Sequence, residues 1–72
     1  MKKLHFNVPN KILYLNWRGV VRERVIVPHH IWFGATEYHS EPQFLIEATD
    51  TEKGEKRHFA LKDMTILDGQ KP

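Results

Sequence analysis

Residues 11–28 read KILYLNWRGVVRERVIVP, two runs rich in β-branched and aromatic residues that meet at Arg18-Gly19. Side chains alternate along an extended chain, so one face of the first run, 11–18, is predicted to point inward. That face carries Leu13, Leu15 and Trp17. Gly19 can adopt the positive φ that a tight hairpin turn requires. These residues therefore predict a β-hairpin.

The second run, 20–27, alternates between apolar and charged side chains. Its predicted inner face carries Val21, Val25 and Val27. The opposite face carries Arg22 and Arg24. Pro28 is predicted to end this strand, because proline has no N–H to donate to the hydrogen-bond ladder of a central strand.

The rest of the chain continues the same pattern of short apolar runs between turn residues. Further strands are predicted at 30–33, 43–49, 55–61 and 65–67, with a single helical turn at 62–64. A long loop spans 35–42, and a hairpin loop at 50–54 places Gly54 where left-handed geometry is usual. Without crossover helices the strands must be antiparallel, and bending them into a barrel reduces exposed edges. The sequence predicts an all-β fold, a small, bent antiparallel barrel of five to six strands.

Length and composition narrow the class of protein. The 72 residues predict a single domain, 1–72, with a folded core of about 11–67 and frayed termini. The chain has no cysteine, no apolar run long enough to span a membrane, and no signal-peptide pattern. We therefore expect a complete, cytoplasmic protein without a membrane partner. The formal charge of +2 is mildly basic and does not by itself select a ligand.

Motifs for catalysis and for metal binding are missing. The sequence has no Gly-rich phosphate loop, no Gly-x-Ser-x-Gly elbow and no cysteine nucleophile. His29 and His30 are adjacent, so on a strand they point to opposite faces, and no other histidine lies at a ligand spacing. We expect no enzymatic activity, no cofactor and no metal site.

Basic and aromatic side chains are the candidates for binding a ligand. Four arginines could form an anion-binding patch: Arg18, Arg22, Arg24 and Arg57. Arg57 is the strongest single candidate because it shares a face with Phe59 and Leu61 and should lean toward the core. The alternative is that these arginines are solvated or paired with nearby acids.

Aromatic residues among these basic ones could stack on bases, with Trp17 and Tyr38 as the candidates. The alternative for aromatic residues is core packing, which is favoured for Phe44, Phe59 and, less strongly, both tryptophans. Tyr38 lies in the long loop and is the aromatic least explained by packing.

From Tyr14 to Met64 the chain resembles the WYL domain, a small Sm-like barrel common in bacterial regulators. The matching pieces are Tyr14-x-Asn16 before Gly19, Arg22-Glu23-Arg24 leading to Pro28, an apolar strand at Phe44, and Arg57-x-Phe59-x-Leu61. Three features depart from the family. Phe44-Leu45-Ile46 replaces the Trp-Tyr-Leu triplet, Asp63 replaces a basic residue, and the usual helix-turn-helix is absent.

The resemblance implies an Sm-like or Src-homology-3-like barrel in a regulatory protein that senses nucleic-acid or nucleotide-like anions. By position, that role falls on Arg57 and more loosely on Arg24. The first functional hypothesis is thus a stand-alone sensing module for a nucleotide or single-stranded nucleic acid. The second is a protein-interaction or assembly module, with a protein partner or homo-oligomer and no small ligand.

Overall fold

The computed structural model describes residues 3–69, and in this range the chain folds almost entirely as β-structure. The strands are β1 Asn10–Leu15, β2 Val21–Gly34, β3 Gln43–Asp50, β4 Glu55–Ala60 and β5 Met64–Gly69. A 3₁₀ turn at Leu61–Asp63 joins β4 to β5. The predicted all-β architecture is confirmed, and the predicted helical turn lies within one residue of its observed place.

The five strands form one antiparallel sheet in the order β4-β3-β2-β1-β5. The 14-residue β2 serves both halves of this sheet. Its first half pairs with β1, its second half pairs with β3, and Ile26 pairs with both neighbours. Within the described residues β4 and β5 pair only with β3 and β1, so the sheet bends but does not close into a barrel.

Pro28 does not end the second strand, as the sequence had predicted, and 30–33 is not a separate strand. The chain runs through Pro28, and a register shift between Pro28 and His30 bends β2 there. A bulge tolerates the missing N–H, because the ladder is already interrupted at that point. Pro28 is fully buried, and its carbonyl accepts a hydrogen bond from the Asn7 N–H at 2.8 Å.

The core lies on the face opposite to the one predicted for β1. Its buried members are Ile12, Tyr14, Ile26, Ile46, Ala48 and Phe59, with Leu4 and Met64 packed against them. Leu15 and Trp17, which were predicted to point inward, are exposed, and Leu13 is only half-buried. The prediction for Phe59 is confirmed, whereas Phe44 is exposed and lies outside the core.

In β2 the predicted faces are also exchanged. Ile26 and Pro28 are buried, Arg24 shares their side of the strand, and Val21 is exposed. The two hairpin glycines behave as predicted, with φ of 78° at Gly19 and 68° at Gly54.

The segment 3–9 before β1, which was predicted to be frayed, is hydrogen-bonded to the Asn10 side chain. The Asn10 side chain is buried, accepts a hydrogen bond from the His5 N–H, and donates to the carbonyls of His5 and Val8. These bonds fix the entry into β1. Residues 1–2 and 70–72, also predicted to be frayed, lie outside the described range.

Candidate ligand-binding cleft

An open cleft of about 1080 Å³ lies between the β1–β2 turn, the 35–42 loop, β4 and the 3₁₀ turn. Its basic side chains are Arg24, Lys53, Lys56, Arg57 and Lys62. Its acidic side chains are Glu41, Glu55 and Asp63. The lining is therefore basic overall, which favours an anionic ligand.

Trp17 is held at the tip of the β1–β2 turn by hydrogen bonds of Asn16. The Asn16 side-chain oxygen accepts from the N–H groups of Arg18 (2.9 Å) and Val20 (3.0 Å). The Gly19 N–H donates to the Asn16 carbonyl at 3.0 Å. This ordered turn leaves Trp17 84% exposed on the cleft, with the Arg18 guanidinium 4.9 Å from the centre of its ring.

Tyr38 is presented in a similar way by the 35–42 loop. Thr36 and His39 exchange two backbone hydrogen bonds, and the Thr36 hydroxyl accepts from the N–H groups of Tyr38 and His39. The His39 ring contacts the His58 carbonyl at 3.3 Å, which ties the loop to β4. Tyr38 is 82% exposed and lines the same cleft as Trp17.

Arg24 points to the core side of β2 and pairs with a buried carboxylate. Its Nη1 lies 3.1 Å from Oδ2 of Asp50, whose side chain is 1% exposed, while that of Arg24 is 10% exposed. Asp50 was predicted to lie in the hairpin loop, but it ends β3 and is buried. The guanidinium of Arg24 is thus largely committed to a structural ion pair, although it borders the cleft.

Arg57 shares the same carboxylate but remains more accessible. Its Nη1 lies 3.9 Å from Oδ2 of Asp50, and its side chain is 41% exposed on the cleft. The sequence had predicted a position near the core, with an acid or a ligand as partner, and the structure supplies the acid. The longer contact leaves Arg57 able to turn toward an anion.

Four of the six predicted ligand residues line the cleft together: Trp17, Arg24, Tyr38 and Arg57. Arg18 contacts the Trp17 ring from outside this lining, and Arg22 is exposed on β2 across from Tyr14. Sequence reasoning missed the lysines Lys53, Lys56 and Lys62, although the Asp50–Gly54 hairpin signal already placed Lys53 beside the Arg57 strand. It also missed His58, which lines the cleft and accepts a hydrogen bond from Trp32 on β2.

Tyr14 forms the floor of the cleft. Its hydroxyl accepts a hydrogen bond from the Ala60 N–H at 2.9 Å, and its ring meets Phe59 edge-on with centroids 4.9 Å apart. This bond links β1 to the end of β4, two strands that do not pair. Burial, more than any other influence, raises the pKa of Tyr14 above its ordinary value of 10.0.

The described part of the chain holds neither a cluster of metal-ligating side chains nor a membrane-spanning helix. In residues 3–69, no three histidine, aspartate or glutamate side chains come together to hold a metal ion. His29 instead bonds the Thr49 hydroxyl at 2.7 Å, and His30 lies 3.6 Å from Glu47. No helix in this range is long and apolar enough to cross a membrane.

Comparison of the chain with protein-family models, curated proteins and solved structures gives no match. The resemblance to the WYL domain therefore depends on the motifs quoted above.

Proposed function

We propose that this protein is a non-enzymatic binding module that takes a single-stranded nucleic acid or a nucleotide-like anion in the cleft. The observation that carries this proposal is the pair of aromatic rings on one basic cleft: Trp17 is 84% and Tyr38 is 82% exposed. Leaving such large rings in water forgoes about 1.5–3 kcal/mol of burial for each. Stacking of one base returns about 1–3 kcal/mol.

The basic residues of the cleft supply the complementary contacts to phosphate. Lys53, Lys56 and Lys62 are exposed, and Arg57 has a planar guanidinium suited to a phosphate oxygen pair. Arg24 borders the same surface and is held in place by its ion pair with Asp50. The turn and the loop that carry the aromatic rings are already hydrogen-bonded, so binding needs little further ordering of the backbone.

The proposal is tested by fluorescence anisotropy with a short labelled single-stranded oligonucleotide at low salt. We expect Trp17→Ala and Tyr38→Ala each to weaken binding by about tenfold, the value of roughly one stacked base. Phe44→Ala is the matched control, because Phe44 is 56% exposed but does not line the cleft. Added salt should weaken binding of the unaltered protein, because phosphate contacts release counterions.

No binding by the unaltered protein, or equal affinity in all three variants, would remove this proposal. Titration with free nucleotides then separates its two ligand classes. An oligonucleotide that binds much more tightly than a mononucleotide indicates that the cleft contacts more than one nucleotide.

A second candidate, a protein-interaction or assembly module, is favoured by an apolar patch away from the cleft. Phe33 and Phe44 lie opposite each other on β2 and β3, 60% and 56% exposed, with ring centroids 5.1 Å apart. Ile31, two residues before Phe33, is 46% exposed. Patches of this kind often mark protein contacts.

The interaction module predicts association that depends on protein concentration and is lost in Phe33→Ser. Analytical ultracentrifugation over a wide concentration range measures it. A monomer at every concentration, together with oligonucleotide binding that depends on Trp17, would favour the first candidate. The resemblance to WYL domains further supports a regulatory role in a bacterial cytoplasm, as part of the same proposal.

A further inference from the structure

The His58 ring, on β4, is hydrogen-bonded to the indole of Trp32 on β2. The Trp32 Nε1–H donates to Nδ1 of His58 at 3.1 Å, and the two rings meet edge-on with centroids 5.3 Å apart. An indole N–H can only donate, so Nδ1 of His58 must accept and carry no proton. A neutral imidazole has one N–H, which this bond assigns to Nε2.

The surroundings of both rings hold this arrangement in place. The Trp32 ring lies over Gly34, where even a Cβ atom would overlap it. The backbone of His58 is tied by the His39 ring, which contacts its carbonyl at 3.3 Å. Across the sheet His58 faces Glu47, whose carboxylate lies near His30.

The Nε2 atom of His58 has no hydrogen-bond partner within residues 3–69, and His58 lines the cleft. We propose that Trp32 fixes His58 as the Nε2–H tautomer, so that β4 offers an uncharged donor to an acceptor atom of a base bound in the cleft. Lysine and arginine contacts read phosphate and are sequence-independent, whereas a fixed donor on a base edge selects among bases. The ligand part of this inference depends on the proposed function, but the tautomer does not.

The tautomer is tested in the ligand-free protein by long-range ¹H–¹⁵N correlation spectra of the histidine rings at neutral pH. We expect the Nε2–H pattern for His58, and a mixture of both tautomers in Trp32→Phe, which removes the donor to Nδ1. An Nδ1–H or a charged ring in the unaltered protein would overturn the inference whatever the protein binds.

The donor is tested with two substitutions that divide the ring's roles. His58→Asn keeps an acceptor near the Nδ1 position and removes the proposed Nε2–H donor. His58→Gln places an amide N–H near the Nε2 position and loses the bond to Trp32. Losing one hydrogen bond corresponds to about three- to tenfold in affinity.

We therefore expect His58→Asn to bind oligonucleotide about three- to tenfold more weakly, with His58→Gln close to the unaltered protein. Neither change should alter the salt dependence, because the donor is uncharged. Equal affinity in both variants would overturn the donor role. If the unaltered protein does not bind the oligonucleotide but shows the Nε2–H tautomer, the proposed ligand is wrong and the assignment of the tautomer is still supported.

Discussion

Replacing Arg24 by methionine tests whether this arginine stabilises the fold, as the structure indicates, more than it binds a ligand. The substitution keeps most of the side-chain volume but leaves the Asp50 carboxylate, 1% exposed, without its 3.1 Å partner. Removing one member of a buried ion pair costs about 3–5 kcal/mol. Arg57 stays 3.9 Å away and the Glu52 N–H still donates to Asp50, so we expect a value near 3 kcal/mol, at the lower end of that range.

A loss of this size is a large share of the stability of a 72-residue chain, which is about 4–11 kcal/mol. Equilibrium urea unfolding followed by circular dichroism measures it. Arg22→Met is the matched control, because Arg22 is exposed on the same strand, and its change should stay within about 0.5 kcal/mol. If the free energies of unfolding of Arg24→Met and Arg22→Met differ by less than about 1 kcal/mol, the buried ion pair does not stabilise the fold to the extent expected.

Three further expectations concern packing and pH. Gly34→Ala should cost about 1–3 kcal/mol, because the added methyl group overlaps the Trp32 ring, and an unchanged thermal midpoint would contradict this. Tyr14→Phe should cost about 1–3 kcal/mol in urea unfolding, because the buried Ala60 N–H loses its acceptor; a smaller loss would mean that the N–H finds another partner. Since burial raises the pKa of Tyr14 above 10.0, its contribution to stability is complete below that pH and is lost as the pH rises through the folded-state value. Between neutral and strongly alkaline pH, Tyr14→Phe should therefore lose less stability than the unaltered protein, and equal losses would contradict the assignment.

Local signals in the sequence were sufficient for the turns and the fold class. Gly19 and Gly54 mark the two hairpins where the structure has positive φ. Asn16 and Asp50 precede them, and their side-chain oxygens accept backbone N–H groups of the turns. Such bonds join residues close in sequence, so the pattern of turn residues predicts them directly.

The inner face of β1 could not be predicted from alternation. Residues 12–15 read ILYL, so both faces of the strand are apolar and a period of two does not choose between them. The choice depends on Tyr14, whose hydroxyl finds the Ala60 N–H across the sheet. That contact joins residues 46 apart, which no local pattern reveals.

The face of β2 was misassigned because a charge lies on the core side. Alternation placed Arg24 in solvent, but the carboxylate that neutralises it comes from Asp50, 26 residues later. The strand also continues past Pro28, since the bulge there removes the need for its N–H. A buried ion pair and a bulge are both set by tertiary structure.

The candidate site was predicted in part. Exposure of Tyr38 agrees with its position in a long loop that packing did not explain. Trp17 was expected either to contact the ligand or to pack in the core. The hydrogen-bonded turn at Asn16 keeps its side chain in solvent. The hydrogen bond between Trp32 and His58 joins residues 26 apart, and no spacing in the sequence indicates it.

Nucleic-acid binding in the cleft is tested most directly by an amide chemical-shift titration of the isotope-labelled protein with a short single-stranded oligonucleotide at low salt. We predict shifts concentrated at Trp17, Tyr38, Arg57 and the lysines of the cleft, reversed by added salt, with little change at Phe33 and Phe44. An unchanged spectrum would contradict nucleic-acid binding in the cleft and favour the interaction module. Shifts confined to Phe33 and Phe44 would place the binding outside the cleft and would also contradict the proposal.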